Sequence, residues 1–197
     1  MNVAAIVLAA GRGARFDATQ SKLLADFGGR PLVRRAVEAA LGSRASKTIV
    51  VTGHARDEIE TALAGLPLVF AHNPDFASGM ASSLRVGLAN AADSAGALAL
   101  LADMPGVTSA ILDQLIEAFN RAPDRAAVTP VSKGRRGNPV LLARRLFPLL
   151  ASLRGDEGAR RLLNSTEGVL EVAVDDESVL ADIDTREDLE RALGGRL

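Results

Sequence analysis

The chain has 197 residues, 48% of them hydrophobic, and a formal net charge of -1 at pH 7. This length is enough to bury a core, and the absence of cysteine excludes disulfides, cysteine-ligated zinc and thiol nucleophiles. The near-neutral charge and the aromatic content of only 3% argue against a nucleic-acid partner. No apolar run reaches the roughly 18 residues of a membrane helix, and a strand pattern follows Met1 without a leader-like segment. We therefore expect one domain over residues 1–197, in the cytoplasm and without membrane contact.

Strand and helix patterns alternate through the first half of the chain. Residues 3–8 form an apolar run with the length and β-branched content of a buried parallel strand. Apolar residues at helical spacing follow over 32–41. A second strand is predicted over 48–52, then a helix around Ile59, and then a short strand over 68–70. This alternation is typical of a parallel sheet whose strands are linked by covering helices.

The second half continues the same alternation. Ser82 and Ser83 stand at the start of a helix, where a hydroxyl can cap the helix or face a ligand. Thr108 is predicted to cap a further helix, and Thr185 with Asp188 resembles a capping box at the start of the last one. Further strands are predicted over 97–102, 126–131 and 169–174, and the apolar residues of 140–142 and 146–150 are expected to return to the core. The whole pattern predicts an α/β fold, a Rossmann-like three-layer sandwich around a mostly parallel central sheet.

The first strand ends in a flexible cationic turn that we interpret as a phosphate-handling loop. Gly11 and Gly13 let main-chain N–H groups approach a ligand, and Arg15 and Lys22 can neutralise an anion. Open α/β sheets bind their ligands at this carboxyl end of the strands. The loop matches the dinucleotide-binding fingerprint only in part, because Phe16 stands where the third glycine belongs. The sequence therefore does not favour a nicotinamide dehydrogenase.

Several motifs together resemble one enzyme family. The opening Leu8-Ala9-Ala10-Gly11, followed by Arg15 and Lys22, is similar to the signature of sugar-nucleotide and cofactor nucleotidyltransferases. Five further motifs resemble the molybdenum cofactor cytidylyltransferases, and they lie at 73–84, 101–105, 137–140, 155–160 and 182–189. The motifs stand in the family's order and cover nearly the whole chain. Two positions depart from the usual pattern, with Gly13 where serine is common and Phe16-Asp17 where Met-Gly is common.

The resemblance implies the fold of the nucleotide-diphospho-sugar transferases and a reaction between two phosphate groups. In that reaction the phosphate of one substrate attacks the α-phosphorus of a nucleoside triphosphate, and pyrophosphate leaves. The residues that it implies for nucleotide binding are Leu8, Ala9, Ala10, Gly11, Arg15, Lys22, Gly53 and Ser83. It implies Asp103 and Asp184 for Mg²⁺, and Arg135, Arg136 and Asn138 for the acceptor substrate. The catalytic residues that it implies are Arg15, Lys22 and Asp103.

The resemblance also implies the partners. Ala10-Gly11 favours CTP, because guanylyltransferase relatives tend to carry paired glycines there. The implied acceptor is molybdopterin, and a molybdoenzyme is the implied recipient of the product. GTP or another phosphorylated acceptor is the alternative within the class. A catalytically silent nucleotide-binding or accessory protein for a molybdoenzyme is the alternative outside it, although such a binder would be expected to have lost Arg15, Lys22 or Asp103.

Some of these residues also fit structural roles. Asp184 lies next to a helix N-cap, where an acid suits the helix dipole. Arg135 and Arg136 fit an exposed basic loop as well as an acceptor site. Asp156 and Arg160 have the spacing of an ion pair across one helical turn. These interpretations stay open at the level of the sequence.

Overall fold

The computed structural model describes residues 1–13, 15–16, 21–155 and 163–195. Its strands are β1 (Val3–Ala9), β2 (Lys47–Thr52), β3 (Val69–His72), β4 (Gly96–Leu101), β5 (Ala127–Ser132), β6 (Arg135–Arg136), β7 (Val140–Ala143) and β8 (Val169–Ala173). Over the described ranges they form one sheet in the order β3-β2-β1-β4-β7-β5-β6, with β8 paired to β5.

The centre of the sheet is parallel, as the alternating pattern predicts. β1 pairs in parallel with β2 on one side and β4 on the other, and β2 pairs in parallel with β3. β8 pairs in parallel with β5. The sheet departs from this direction at β7, which runs antiparallel to β4 and β5, and at β6, a short strand within the predicted basic loop. The predicted mostly parallel α/β fold class is confirmed.

Helices cover both faces of the sheet. They are α1 (Leu32–Leu41), α2 (Arg56–Ala62), α3 (Met80–Asn90), α4 (Ser109–Arg121), α5 (Phe147–Ala151) and α6 (Arg186–Leu193). Successive side chains of a strand point to opposite faces, so Val7 and Ile6 of β1 enter different layers. Val7 lies in one core cluster with Val33 of α1 and Leu112 of α4, whereas Ile6 lies in another with Leu84 of α3. This arrangement is the predicted three-layer sandwich.

Two of the predicted helix caps are confirmed. The Thr108 side chain accepts a hydrogen bond from the Ile111 N–H at 3.5 Å at the start of α4. At the start of α6, the Thr185 hydroxyl accepts from the Asp188 N–H at 3.2 Å, and the Asp188 carboxylate accepts from the Thr185 N–H at 2.8 Å. Together they form the predicted capping box, which fixes where the last helix begins.

Two features of the sequence lie outside the described residues. They are residues 156–160 of the predicted motif, including the expected pairing of Asp156 with Arg160, and Asp17 of the Phe16-Asp17 departure. Over the ranges that the structure does describe, no helix has both the length and the apolar character needed to cross a membrane.

The parallel strands bring four loops to one edge of the sheet. β1, β2, β3 and β4 run in the same direction, so the segments that follow them begin on the same side. Ligands of open α/β sheets bind at this carboxyl edge, since the loops that diverge there leave a crevice between them. The fold therefore places the loop after β1 beside the segments that follow its neighbours.

Gly87 of α3 lies against the sheet without room for a side chain. A Cβ atom there would come within 2.4 Å of Ile6 Cγ2 and 3.2 Å of Val51 Cγ2. Alanine ordinarily stabilises an exposed helix interior by about 1 kcal/mol over glycine, but overpacking a core costs about 1–3 kcal/mol. We expect Gly87→Ala to lower the free energy of unfolding in urea by about 1–2 kcal/mol, because the steric cost exceeds the helical gain.

Gly194→Ala is the matched control for this measurement. A Cβ atom at Gly194 would lie 3.4 Å from its nearest neighbour, the Glu190 carbonyl oxygen, which is ordinary contact. We expect this variant to unfold at the same urea concentration as the parent protein. A Gly87→Ala variant as stable as Gly194→Ala would contradict the tight packing of α3 on the sheet.

Candidate active site

A cleft of about 430 Å³ opens at the carboxyl edge of the sheet, beside β1 and β4. It is lined by sequence-predicted site residues from four separate segments of the chain. These are Leu8, Ala10, Gly11, Arg15, Lys22, Ser83, Asp103 and Asp184. Gly13 of the predicted phosphate-handling loop lines the cleft as well, and further lining residues to which the sequence assigned no site role are Arg12, Phe76, Met80 and Asp182.

The loop after β1 turns sharply at Gly13. Its φ angle is +60°, a conformation that L-residues with a side chain rarely adopt. A Cβ atom at Gly13 would also lie 2.8 Å from the Cβ atom of Lys22. The glycine that replaces the family's usual serine therefore has a physical reason in this chain, because it allows Lys22 to pack against the turn.

Lys22 joins the loop to two acidic side chains. Its side chain is only 8% exposed, and its ammonium group donates to Asp103 Oδ2 at 2.8 Å and to Asp184 Oδ1 at 3.2 Å. Arg15 approaches the same cluster from the solvent side, with its Nη2 2.9 Å from Asp184 Oδ2. The structure thus brings together the three predicted catalytic residues, Arg15, Lys22 and Asp103, and the predicted metal ligand Asp184.

A third carboxylate, Asp182, belongs to this cluster. One carboxylate oxygen each from Asp103, Asp182 and Asp184 lie within 4.8 Å of one another. Ile183 between the two C-terminal acids is fully buried, and its N–H donates to the Asp103 carbonyl at 2.9 Å. The sequence could have predicted a site position for Asp182, since it stands two residues before Asp184 and side chains two apart in an extended segment point to the same side.

The carboxylates repel one another where they meet. Partial desolvation in the cleft raises the pKa of Asp182, and the charges of Asp184 and Asp103 raise it further against the opposing effect of Lys22. Asp103 Oδ1 is buried and has no hydrogen-bond partner. Clustered carboxylate oxygens are the ligands that hard divalent cations prefer. The donor set therefore fits a divalent metal ion, with Asp103, Asp182 and Asp184 as the residues that could hold it.

A hydrogen-bonded group of side chains holds Ser83 in the lining of the cleft. The Asn73 amide donates to the hydroxyls of Ser82 at 2.8 Å and Ser83 at 3.0 Å. Neither serine caps α3, because its N-cap is Gly79 without a side-chain cap. Ser82 in turn donates to the Gly79 carbonyl at 2.8 Å, whereas Ser83 lines the cleft. Ser82 thus has a structural role, and Ser83 is positioned to meet a ligand.

Two predicted nucleotide-binding residues lie behind the cleft. Ala9 is fully buried in the core layer on the other face of the sheet. Gly53 is not among the residues that line the cleft, and a Cβ atom there would lie 2.7 Å from the Phe76 Cβ and 2.8 Å from the Ala10 Cβ. The absence of a side chain at Gly53 therefore allows Ala10 and Phe76, which do line the cleft, to pack together.

The three predicted acceptor residues lie outside the cleft lining. Arg135 and Arg136 form β6 and are exposed, and Arg136 pairs with Glu171 at 2.7 Å. The Asn138 N–H donates to the Val179 carbonyl at 2.8 Å, next to a cis peptide bond to the following proline. Their role toward an acceptor stays a prediction.

Comparison with known proteins decides the family. The model of the MobA-like NTP transferase domain matches residues 5–170, most of the chain. The chain belongs to the MobA-like NTP transferase family.

Proteins similar to this MobA-like chain support the same family and fold. Nicotine blue oxidoreductase of Paenarthrobacter nicotinovorans is 32% identical over 200 residues, which cover 97% of this chain and 96% of the relative. A nucleotidyl transferase of Methanothermobacter is 25% identical with a TM-score of 0.85, over 99% of this chain and 97% of that one. A manganese complex of Rv0371c from Mycobacterium tuberculosis is 27% identical with a TM-score of 0.82, over 98% and 99% of the two chains.

These findings establish the class to which the protein belongs. The family and the fold are those of a nucleotidyltransferase. The similar Rv0371c structure is a complex with manganese, and the acidic cluster of this cleft has the donor atoms for a divalent metal ion.

Asp182 permits a test of the repulsion within the acidic cluster. Because the pKa of Asp182 is raised, the ionised form of its carboxyl group destabilises the folded protein. This destabilisation is fully present above the raised pKa and decreases as the pH falls through that value. We expect Asp182→Asn to raise the thermal midpoint of the protein in EDTA at pH 8 by about 1–3 °C, a small gain because the group is exposed.

Asp93→Asn supplies a control of opposite sign. A hydrogen bond from Lys47 lowers the pKa of Asp93, so its carboxylate is favoured in the fold. We expect Asp93→Asn to lower the midpoint slightly under the same conditions. An unchanged or lower midpoint for Asp182→Asn would show that the three carboxylates do not repel one another in the folded protein.

Proposed function

We propose that this protein is a Mg²⁺-dependent cytidylyltransferase that transfers CMP from CTP to the phosphate of molybdopterin and releases pyrophosphate. The observation that carries the proposal is the buried Lys22 ammonium between Asp103 and Asp184, beside the glycine-rich turn after β1. A transfer between two anions requires positive charge and fixed positions rather than a covalent nucleophile. The cleft provides both.

The residues that line the cleft have different roles, which follow from their chemistry. Main-chain groups from Leu8 to Gly11 bind the nucleotide, and Arg15 and Lys22 neutralise its triphosphate. Asp103 and Asp184, with Asp182 beside them, hold Mg²⁺ through carboxylate oxygens. Bound there, Mg²⁺ supplies charge neutralisation at the phosphates.

The bond changes in this reaction are few. An oxygen of the acceptor phosphate forms a new bond to the α-phosphorus of CTP, and the bond between the α-phosphorus and the bridging oxygen to the β-phosphate breaks. The electron pair leaves with pyrophosphate. The attacking phosphate is already ionised at neutral pH, so no protein group has to remove a proton. Arg15 and Lys22 serve by stabilising the charge that develops on the leaving group.

The choice of CTP rests on the wall around Ala10. Ala10 is 2% exposed and lines the cleft at the position where guanylyltransferase relatives tend to carry glycine. Its methyl group and the Phe76 side chain both lie against Gly53, so Ala10 places a methyl group where a glycine would leave space. Ser83 lines the same cleft and offers a hydroxyl group. These contacts favour the smaller pyrimidine.

Pyrophosphate release tests the nucleotide and the acceptor together. We expect release with CTP, Mg²⁺ and molybdopterin, and slower or no release when GTP or ATP replaces CTP. Release with GTP alone would overturn the choice of base, and release with a different phosphorylated acceptor but not molybdopterin would overturn the choice of acceptor. Tight CTP binding without any release would favour an accessory binding role for a molybdoenzyme.

The same samples test a redox alternative. The Paenarthrobacter relative is named an oxidoreductase, although Phe16 in this chain stands where the dinucleotide fingerprint requires its third glycine. Oxidation of NADH or NADPH in the presence of an electron-accepting dye, without pyrophosphate release from any nucleotide, would overturn the proposed transfer.

Asp103 permits a direct test of the metal-binding role. We expect Asp103→Asn and Asp103→Ala to lower kcat by about 10²–10³-fold or more, because the charge that holds the metal and orients Lys22 is lost. Circular dichroism verifies that both variants remain folded. Asp113→Ala, at an acid on α4 that pairs with Arg44, is the control and should retain full turnover. Full activity in a folded Asp103→Ala protein would remove this residue from the mechanism.

A further inference from the structure

A small apolar cluster lies directly beneath the acidic residues of the cleft. Its buried members are Phe16, Ala25, Leu32, Ile183 and Ala192, and it is separate from the two large core layers. Phe16 is 6% exposed, and Leu32 and Ile183 are fully buried. The cluster thus joins the loop after β1, the start of α1 and the segment that carries the C-terminal acids.

Both ends of this cluster adjoin charged residues of the cleft. Phe16 directly follows Arg15, and its N–H donates to the Gly13 carbonyl at 2.9 Å, which closes the turn. Ile183 stands between Asp182 and Asp184. Because neighbouring side chains of an extended segment point in opposite directions, burial of Ile183 turns both carboxylates toward the cleft. The packing of Phe16 and Ile183 in one cluster therefore sets the distance between the loop and the acids.

The ion pairs across the cleft cannot set this distance once substrates bind. Arg15 is 76% exposed, and pairs of this kind contribute little in water. On the proposed function, Arg15 and Lys22 turn to the triphosphate while Asp184 binds the metal ion. The direct pairs between loop and acids are then lost, whereas the apolar cluster is unaffected by the exchange of charges.

We infer that Phe16 is a positioning residue, which holds the phosphate-handling loop at a fixed distance from the Asp182 and Asp184 carboxylates through its packing with Ile183. This inference rests on the proposed function for its kinetic consequences. It also has a consequence that needs no turnover, since the acids that Ile183 orients form a donor set that we expect to bind a divalent cation in the absence of nucleotide.

Mn²⁺ binding to the nucleotide-free protein, followed by electron paramagnetic resonance, provides that readout. We expect Phe16→Ala and Ile183→Ala each to raise the Kd for Mn²⁺ about tenfold, and Phe16→Met, which keeps a large apolar side chain, to restore it within about twofold. The double variant should be only slightly weaker than either single variant, because both substitutions disrupt the same apolar cluster. Additive losses in the double variant would overturn the inference.

Kinetics then separate positioning from general stability. We expect Phe16→Ala to raise the KM for CTP about tenfold and to lower kcat by up to about 10²-fold, since small misplacements of reacting groups have effects of this size. Phe119→Leu is the control, because Phe119 lies near Gly96 at the amino end of β4, away from the cleft. It should lower the unfolding midpoint without changing the KM or the Kd for Mn²⁺.

The possible outcomes are distinct. If Phe16→Ala loses only stability, with an unchanged Kd for Mn²⁺, Phe16 is a structural residue and the inference is wrong. If Phe16→Ala does not fold, Phe16→Leu provides the same comparison with a smaller truncation. If the parent protein binds Mn²⁺ but releases no pyrophosphate from any nucleotide, the proposed function fails, and the Mn²⁺ measurements still decide the role of Phe16.

Discussion

The cleft depends on the buried ammonium group of Lys22. It bonds to Asp103 after β4 and to Asp184 before α6, and it follows the loop after β1, so one cation joins three segments that are far apart in the sequence. Removing one partner from a buried ion pair costs about 3–5 kcal/mol, since the remaining charge has no compensation. Lys22 therefore brings the acidic residues together. A substitution of Lys22 would remove its compensating charge from Asp103 and Asp184 and would destabilise the site.

The contacts that hold the loop after β1 differ in their contribution to stability and in their response to a ligand. An exposed pair such as Arg15 with Asp184 contributes about 0–1 kcal/mol. Burial of a side chain such as that of Phe16 contributes about 1.5–3 kcal/mol. The larger contribution does not depend on the ion pairs of the cleft, so it persists when cations and carboxylates there change partners. The rigid part of the cleft is thus apolar, and the part that can rearrange is ionic.

Much of this arrangement follows from one-dimensional rules. The alternation of strands and helices gave the fold class, and the carboxyl edge of a parallel sheet brings Lys22 and Asp103 together. The period-two rule also accounts for two differences from the sequence-based prediction, because it turns Ala9 away from the cleft that its neighbours Leu8 and Ala10 line, and it places Asp182 with Asp184. Gly53 is different, since its role depends on two side chains that only folding brings to it.

On the proposed function, the balance of charges in the cleft links binding of the metal ion to binding of the nucleotide. The cleft is lined by three cations and by an equal number of carboxylates, which are Arg12, Arg15 and Lys22 and Asp103, Asp182 and Asp184. Arg15 and Lys22 are already paired with carboxylates, so a triphosphate without a metal ion would meet two cations that have other partners. A divalent cation bound by the carboxylates would release Lys22 and Arg15 for the phosphates of such a nucleotide. Each ligand thereby favours the other, as the reciprocity of binding free energies requires. The same ion pairs that assemble the cleft without ligand then become the source of cooperativity between its two ligands.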